Sequence, residues 1–146
     1  MNFPDETLMD LIFANWTLAT EGITAEDITF TTEDWSEDTG IHNPYISIRH
    51  LGLTRDQPVE SMAEFSFIVQ VIWWPMHLNE VADKKALVWA MIEEIRRIID
   101  DIGIGIAVPT KWQSAWWDRL ANVSVLSAAP NVLIENVVVK ARIYWA

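Results

Sequence analysis

The side chains best suited to metal binding or proton transfer in this chain are three histidines, His42, His50 and His77. They are far apart in sequence, and none has another His, Asp or Glu at the spacing that places two metal ligands on one helix face. The chain contains no cysteine, which also excludes disulfides, thiolate zinc sites and cysteine nucleophiles. The sequence therefore predicts no metal site, and ordinary loop or strand histidines are the simpler interpretation.

Three further patterns could support chemistry, but each lacks part of its motif. Gly103 and Gly105 form a G-x-G that follows a helical segment, whereas a nucleotide-binding loop joins a strand to a helix. The acidic stretch Glu33–Asp38 lacks the ligand spacing and internal glycine of a calcium loop, so a solvated loop is expected. No serine or threonine has the context of a nucleophile elbow. We predict no catalytic residue, no cofactor and no enzymatic activity.

Tryptophan is the unusual residue type, with nine in 146 residues, more than the interior of so small a domain is expected to hold. Several lie in segments without a clear buried face. Because aromatic side chains are enriched at protein interfaces, we predict that these bind a partner or a neighbouring subunit. The competing interpretation is a satellite hydrophobic cluster under a long loop. The candidate interface residues are Trp35, Trp112, Trp116 and Trp117.

Composition and charge limit the possible partners. Hydrophobic residues make up 51% of the chain, which is ample for the core of a single domain spanning 1–146. The formal net charge of -11 repels phosphates, so tight binding of DNA or RNA is not expected. If the chain self-associates, salt or divalent cations should help by screening this charge. Asp5 and Glu6 stand where a signal peptide would carry lysines, and no apolar run approaches the roughly 20 residues of a membrane span, so we expect a soluble intracellular protein without a membrane partner.

Two helices are predicted from apolar residues that recur every three to four positions. The first begins at Pro4, which suits the first helical position, and runs to about Ala19. The second follows Asn79, a good N-cap, and reaches about Ile102, with Gly103 as a left-handed cap.

Strands are predicted where apolar and polar residues alternate. They are a short strand around Ile28 and Phe30, and longer strands over Tyr45–Leu51, Met62–Trp74 and Val132–Trp145. Between Ile104 and Asn131 the alternation weakens. There, Trp112, Trp116 and Leu120 share a stripe at helical spacing, which predicts a short helix from Thr110 to about Ala121.

Two side-chain assignments follow from these elements. Trp16, Trp73 and Trp89 fall in helices or strands with clear buried faces, so we expect them in or near the core. On the solvent face of the second helix, Glu93 and Arg97 are predicted to pair at i, i+4.

The order of elements predicts an α+β fold in which an antiparallel or mixed sheet is covered by two helices. The predicted order is helix-strand-strand-helix-strand, with an extra short helix before the last strand. Because the last strand forms the chain end, it must be held in the sheet, and truncating it should unfold the domain.

The order and length of these elements resemble those of the tail-completion or tail-terminator proteins of tailed viruses, also described as minor tail protein U-like or neck proteins. The resemblance is carried by the acidic loop ahead of the strand Pro44-Tyr45-Ile46-Ser47-Ile48, and by the final strand Val137–Trp145. It covers most of the chain. The tryptophan-rich segment from Ile104 to Asn131 departs from the family pattern.

The resemblance implies a non-enzymatic virion structural protein. Its subunits would form a homo-oligomeric ring, typically a hexamer, that stops growth of the tail tube and joins it to the connector proteins on the head side. The protein would be in the host cytoplasm before assembly and in the tail or neck of the virion afterwards. Its negative charge would suit a passage through which DNA slides without sticking.

Two other classes of protein compete with this interpretation. A small α+β ligand-binding or catalytic domain would use an aromatic-lined pocket built from Trp73, Trp74, Trp112 and Trp116. A cellular adaptor that meets one protein partner is the third class.

Overall fold

One mixed sheet of five strands carries two helices on one of its faces. The computed structural model describes residues 3–20, 23–32, 44–55, 62–73, 81–106, 108–121 and 133–144. The helices are α1 (Pro4–Ala14) and α2 (Val81–Gly103), and a short 3-10 turn spans Ala25–Asp27. The strands are β1 (Thr29–Thr31), β2 (Tyr45–Arg55), β3 (Met62–Trp73), β4 (Trp112–Ala121) and β5 (Leu133–Tyr144).

The strands lie in the order β1-β2-β3-β5-β4. The short β1 runs parallel to β2, and every other neighbouring pair is antiparallel. The last strand along the chain, β5, therefore lies between β3 and β4 and is hydrogen-bonded on both sides. The predicted α+β class, mixed sheet and two helices are confirmed.

The core lies between the helices and one face of the sheet. Because side chains alternate across a strand, every second residue of β2, β3 and β5 points toward the helices. α1 lies over β1 and β2, whereas α2 lies over β3, β4 and β5. Fully buried side chains from both layers meet there, among them Leu8, Ile12, Ile46, Ile48, Phe67, Val69, Met91, Ile95, Ile99, Val137 and Val139. Trp16 and Trp73 belong to this core as predicted, but Trp89 is 46% exposed on the outer face of α2, so its core assignment was wrong.

The first helix ends at Ala14, five residues earlier than predicted. Asn15 caps its end, where both its backbone N–H and its side-chain amide donate to the carbonyl of Leu11, at 3.1 and 2.9 Å. Trp16 then leaves the helical path and inserts its indole into the core, where its Nε1 donates to the carbonyl of Ile23 at 2.8 Å. The apolar spacing that included Trp16 therefore predicted the burial of its side chain correctly and the length of the helix wrongly.

The second helix ends in a Schellman motif whose left-handed residue is Gly105, with φ of 91°. Ile106 N–H donates to Asp101 O at 2.8 Å and Gly105 N–H donates to Ile102 O at 3.0 Å, which is the 6→1 and 5→2 pattern of that motif. The predicted left-handed cap at Gly103 is thus displaced by two residues. Gly103 has a different role: a Cβ added to it would lie 3.0 Å from the carbonyl oxygen of Ala115, so it allows the helix to approach β4 closely.

The segment predicted as a short helix before the last strand is the strand β4. Two register shifts interrupt its pairing with β5, between Trp112 and Ser114 and between Trp117 and Arg119. Such bulges break the two-residue alternation that marks a strand in sequence. The observed order is helix, three strands, helix, two strands. The three strands predicted one by one before α2 are present, whereas the predicted order helix-strand-strand-helix-strand counted only two of them. β2 likewise continues past its predicted end, through a bulge between His50 and Gly52.

A polar network joins the end of α1 to the middle of α2. Glu94 is 5% exposed, and its carboxylate accepts hydrogen bonds from the Thr17 hydroxyl at 2.9 Å and from Arg97 Nε. The same guanidinium donates to the carbonyl of Asn15 at 2.7 Å and to Asp101 at 3.0 Å. Arg97 thus pairs with Glu94 and Asp101, whereas the predicted partner Glu93 is exposed. The network fixes the position of one helix relative to the other.

Candidate functional site

The tryptophans of β4 have three different environments. Trp112 is 8% exposed and stacks on Phe67, with ring centroids 6.2 Å apart and planes within 9°. Trp117 is partly buried, packs against the core and lies beneath the Arg96 guanidinium, 5.9 Å from the ring centroid. Trp116 is also partly buried, but it is in register with Lys140 and falls on the opposite face of the sheet.

The two bulges explain this arrangement. Without them, Trp112, Ser114 and Trp116 would share one face of β4. The shift after Trp112 instead places Ala115 and Trp117 on the core side, in register with Ala141 and Val139. Trp116, which the helical stripe grouped with Trp112, is therefore the indole of the three that points away from the core. Trp35 lies outside the described residues.

The tryptophans proposed for an aromatic pocket are not brought together. Trp112 aligns with Ile143 of β5, which pairs with Ala63 near the start of β3, whereas Trp73 is the last residue of β3. Ten residues of strand separate those two levels, about 33 Å at the usual rise. Trp73 is itself buried beneath the Lys84 ammonium, 4.5 Å from its ring centroid. Trp74 lies outside the described residues.

The second sheet face, directed away from the helices, has a mixed polar and apolar character. Ser47, Gln70 and Asn136 are paired in register across β2, β3 and β5, and Ser47 is fully buried. Basic residues in partly buried positions on this face are Arg49, Lys140 and Arg142. Lys140 lies 3.9 Å from the Asp118 carboxylate, and Arg142 pairs in register with Glu64.

Besides Phe3 and Leu51, several exposed apolar side chains that the sequence pattern did not indicate lie after α2, at the end of β5 and beside β1. Ile104 and Ile106 are 74% and 54% exposed in the turn after α2, and Tyr144 at the end of β5 is 47% exposed. The end of β5 is joined to the residue before β4, because Tyr144 N–H donates to Lys111 O at 2.8 Å. At the other side of the molecule, Phe13 is 48% exposed and packs edge-on against Phe30 of β1, with centroids 5.5 Å apart.

The side-chain chemistry of the described ranges is that of packing and ion pairing. Within those ranges no three His, Asp or Glu side chains are grouped closely enough to hold a metal ion. His50 contacts the aromatic rings of Phe65 and Phe67, at centroid distances of 5.3 and 5.9 Å. No described helix is both long and apolar enough to span a membrane.

Comparison with known proteins gives a structural likeness and no likeness of sequence. No protein-family model matches the chain, and none of the curated proteins matches it. The chain is similar to one chain of a solved structure described as "Virion of native gene transfer agent (GTA) particle". The likeness has a TM-score of 0.55 at 11% sequence identity and covers 97% of this chain and 98% of that one. It shows a shared fold over the full length of both chains.

Proposed function

We propose that this protein is a non-enzymatic structural subunit of a virion or virus-like particle. The observation that carries the proposal is the likeness to a chain of the gene transfer agent virion over 97% of one chain and 98% of the other. The two chains share a whole fold and not a single motif, which supports a shared structural role.

Within the particle, we assign the subunit to a ring at the end of the tail, where it stops the tail tube and contacts the connector proteins of the neck. Support for this finer assignment is the family resemblance of the sequence, carried by the acidic stretch before β2 and by the final strand. Exposed apolar residues at separate sides of the subunit are consistent with one copy having two neighbours. Subunits with two different contact surfaces form closed rings or open filaments.

The native mass of the purified protein tests this proposal. We would measure it by light scattering on a sizing column, with and without millimolar magnesium, and then image any large species by negative stain. The proposal expects a ring, with a hexamer as the expected size. A stable dimer that ignores magnesium and protein concentration would instead favour a ligand-binding domain.

A further inference from the structure

Almost all of the net charge of this protein lies in its first third. Residues 1–48 contain ten Asp and Glu and no Lys or Arg, so they contribute -10 to the formal net charge of -11. Residues 49–146 contain eleven acidic and ten basic residues, so they contribute only -1. The chain therefore consists of a strongly acidic N-terminal part and a nearly neutral remainder.

The structure places the acidic part at one edge of the described sheet. α1 packs against β1 and β2, the first two strands in the sheet order. We call α1, the 3-10 turn and β1 the N-terminal side, and we call the four other strands with α2 the body. At the end of α2, Asp100 pairs with Arg96 at 3.9 Å and Asp101 pairs with Arg97 at 3.0 Å. Two N-terminal sides would repel each other, whereas two bodies can approach with little repulsion.

The turn after α2 exposes two isoleucines on the body, Ile104 at 74% and Ile106 at 54%. In a Schellman motif, the last residue commonly makes an apolar contact with the helix residue whose carbonyl it bonds. Here that last residue is Ile106, and the helix residue is Asp101, which is ion-paired with Arg97. A carboxylate thus occupies the position of the usual apolar partner, and the Ile106 side chain remains more than half exposed.

The turn is held in one position. Ile106 N–H and Gly105 N–H donate to carbonyl groups of the last helical turn at 2.8 and 3.0 Å. Gly103 lies so close to β4 that an added Cβ would be 3.0 Å from the carbonyl oxygen of Ala115. A surface that is fixed before binding loses little conformational entropy when it is buried. Two exposed isoleucines on a fixed turn are therefore suited to contact another molecule.

The body also exposes aromatic side chains that can receive this turn. Trp89 on the outer face of α2 is 46% exposed, and Tyr144 at the end of β5 is 47% exposed. Trp89 precedes Ile104 by fifteen residues, which is about 22 Å along the helix. Tryptophan and tyrosine are enriched at the centres of protein interfaces. A contact between the isoleucine turn and an aromatic surface joins two unlike surfaces, as a closed ring requires.

We propose that the turn after α2 is a contact surface between copies of this protein, in which Ile104 and Ile106 of one copy are buried against the body of the next. This inference rests on the proposed function as a ring subunit and adds the place where copies touch. The charge distribution selects the body for this contact, because the N-terminal side carries acidic residues without basic ones. The N-terminal sides then face away from the contacts between copies, where their charge adds little repulsion.

The absence of cysteine from the chain allows a direct test of this contact. A single Ile104→Cys substitution places an exposed thiol in the turn, and cysteine is apolar enough to keep the contact. We expect its reaction with a maleimide to slow on the order of tenfold or more in the assembled ring, relative to subunits dissociated by dilution. The control is Phe3→Cys on the N-terminal side, where Phe3 is 65% exposed. Its reaction rate should be the same in both states.

Sedimentation velocity measures the strength of the contact. Ile104→Ser with Ile106→Ser should weaken self-association on the order of tenfold for each isoleucine, because apolar burial is lost from the contact. The matched control, Phe3→Ser with Phe13→Ser, removes two apolar side chains of similar exposure from the N-terminal side. It should leave assembly unchanged. Thermal melting of dilute protein verifies that each variant is folded.

A wild-type ring in which the Ile104→Cys thiol reacts as fast as in free subunits would overturn the proposed contact and leave the proposed function standing. The contact would also be overturned if the double isoleucine variant assembled as well as wild type, or if the double phenylalanine variant lost assembly to the same extent. A wild-type protein that is monomeric in every buffer would contradict the ring itself.

Discussion

Arg97 holds the two helices in their relative positions, and replacing it with alanine should measurably destabilise the fold. Its guanidinium bonds to the buried Glu94 carboxylate, to Asp101 and to the carbonyl of Asn15 after α1. Removing it leaves Glu94, which is 5% exposed, without its cation. Breaking a fully buried pair from one side costs about 3–5 kcal/mol. Because the Arg97 side chain is 43% exposed, solvent screening reduces this to about 2 kcal/mol.

The assay is urea or thermal unfolding followed by tryptophan fluorescence. For a chain of this size, a loss of about 2 kcal/mol corresponds to a fall in Tm of about 4–8 °C. The matched control is Arg96→Ala on the same helix. Its ion pair with Asp100 is 3.9 Å long and exposed, and its guanidinium lies over Trp117, so its loss should cost at most about 1 kcal/mol.

A double-mutant cycle identifies the cause. In a Glu94→Gln background, the buried charge is gone, so Arg97→Ala should cost less than half of its cost in wild type. If Arg97→Ala were as mild as Arg96→Ala, or if its cost were the same in the Glu94→Gln background, Arg97 would not stabilise the fold through the buried Glu94 carboxylate.

Three further outcomes follow from the described contacts. Trp112→Ala should lower the free energy of unfolding by about 3–5 kcal/mol, because the indole is buried against Phe67. Trp116→Ala should change it by less than about 1 kcal/mol. Chemical denaturation of both variants measures the difference. Gly105→Ala should lower the free energy of unfolding by about 1–2 kcal/mol, because alanine is strained at the φ of 91° that Gly105 adopts. Ile104→Ala in the same turn should leave the melting temperature nearly unchanged, because Ile104 is 74% exposed. Removing the chain after Asn136 should abolish the cooperative unfolding transition seen by circular dichroism, because β5 is bonded to strands on both sides.

The strongly periodic elements were predictable from sequence because a single periodicity runs through each of them. The core positions of α2, from Val88 to Ile102, recur at helical spacing, and those of β3 alternate from Phe65 to Trp73; both sets are buried as expected. β5 was likewise predicted within one residue at each end. In these segments, local pattern and tertiary packing require the same side chains to be buried.

β4 could not be predicted in the same way, because its pattern depends on its partner strand. Two bulges place Trp112, Ala115 and Trp117 on the core side at spacings of three and two residues. That spacing belongs to neither a regular helix nor a regular strand. The register of β5, with Ala141 and Val139 opposite Ala115 and Trp117, determines which indoles are buried, and that information lies outside the segment.

The polar contacts between the helices were missed for a related reason. Glu93 and Glu94 are both within reach of Arg97 along the helix, so sequence spacing allowed either partner. The Thr17 hydroxyl and the Asn15 carbonyl, which approach from the other helix, favour the arrangement with Glu94. The position of Trp116 on the outer face of the sheet could not be predicted either, because its separation from Trp112 arises only when β4 pairs with β5.

Negative-stain imaging of the largest species formed by the wild-type protein shows directly whether the subunits close into a ring. We expect closed rings with a central opening and one subunit repeated around the axis, as formed by subunits with two different contact surfaces. Particles consisting only of compact two-fold dimers, or a protein that remains monomeric in both low and high salt, would contradict the assignment as a ring-forming virion subunit.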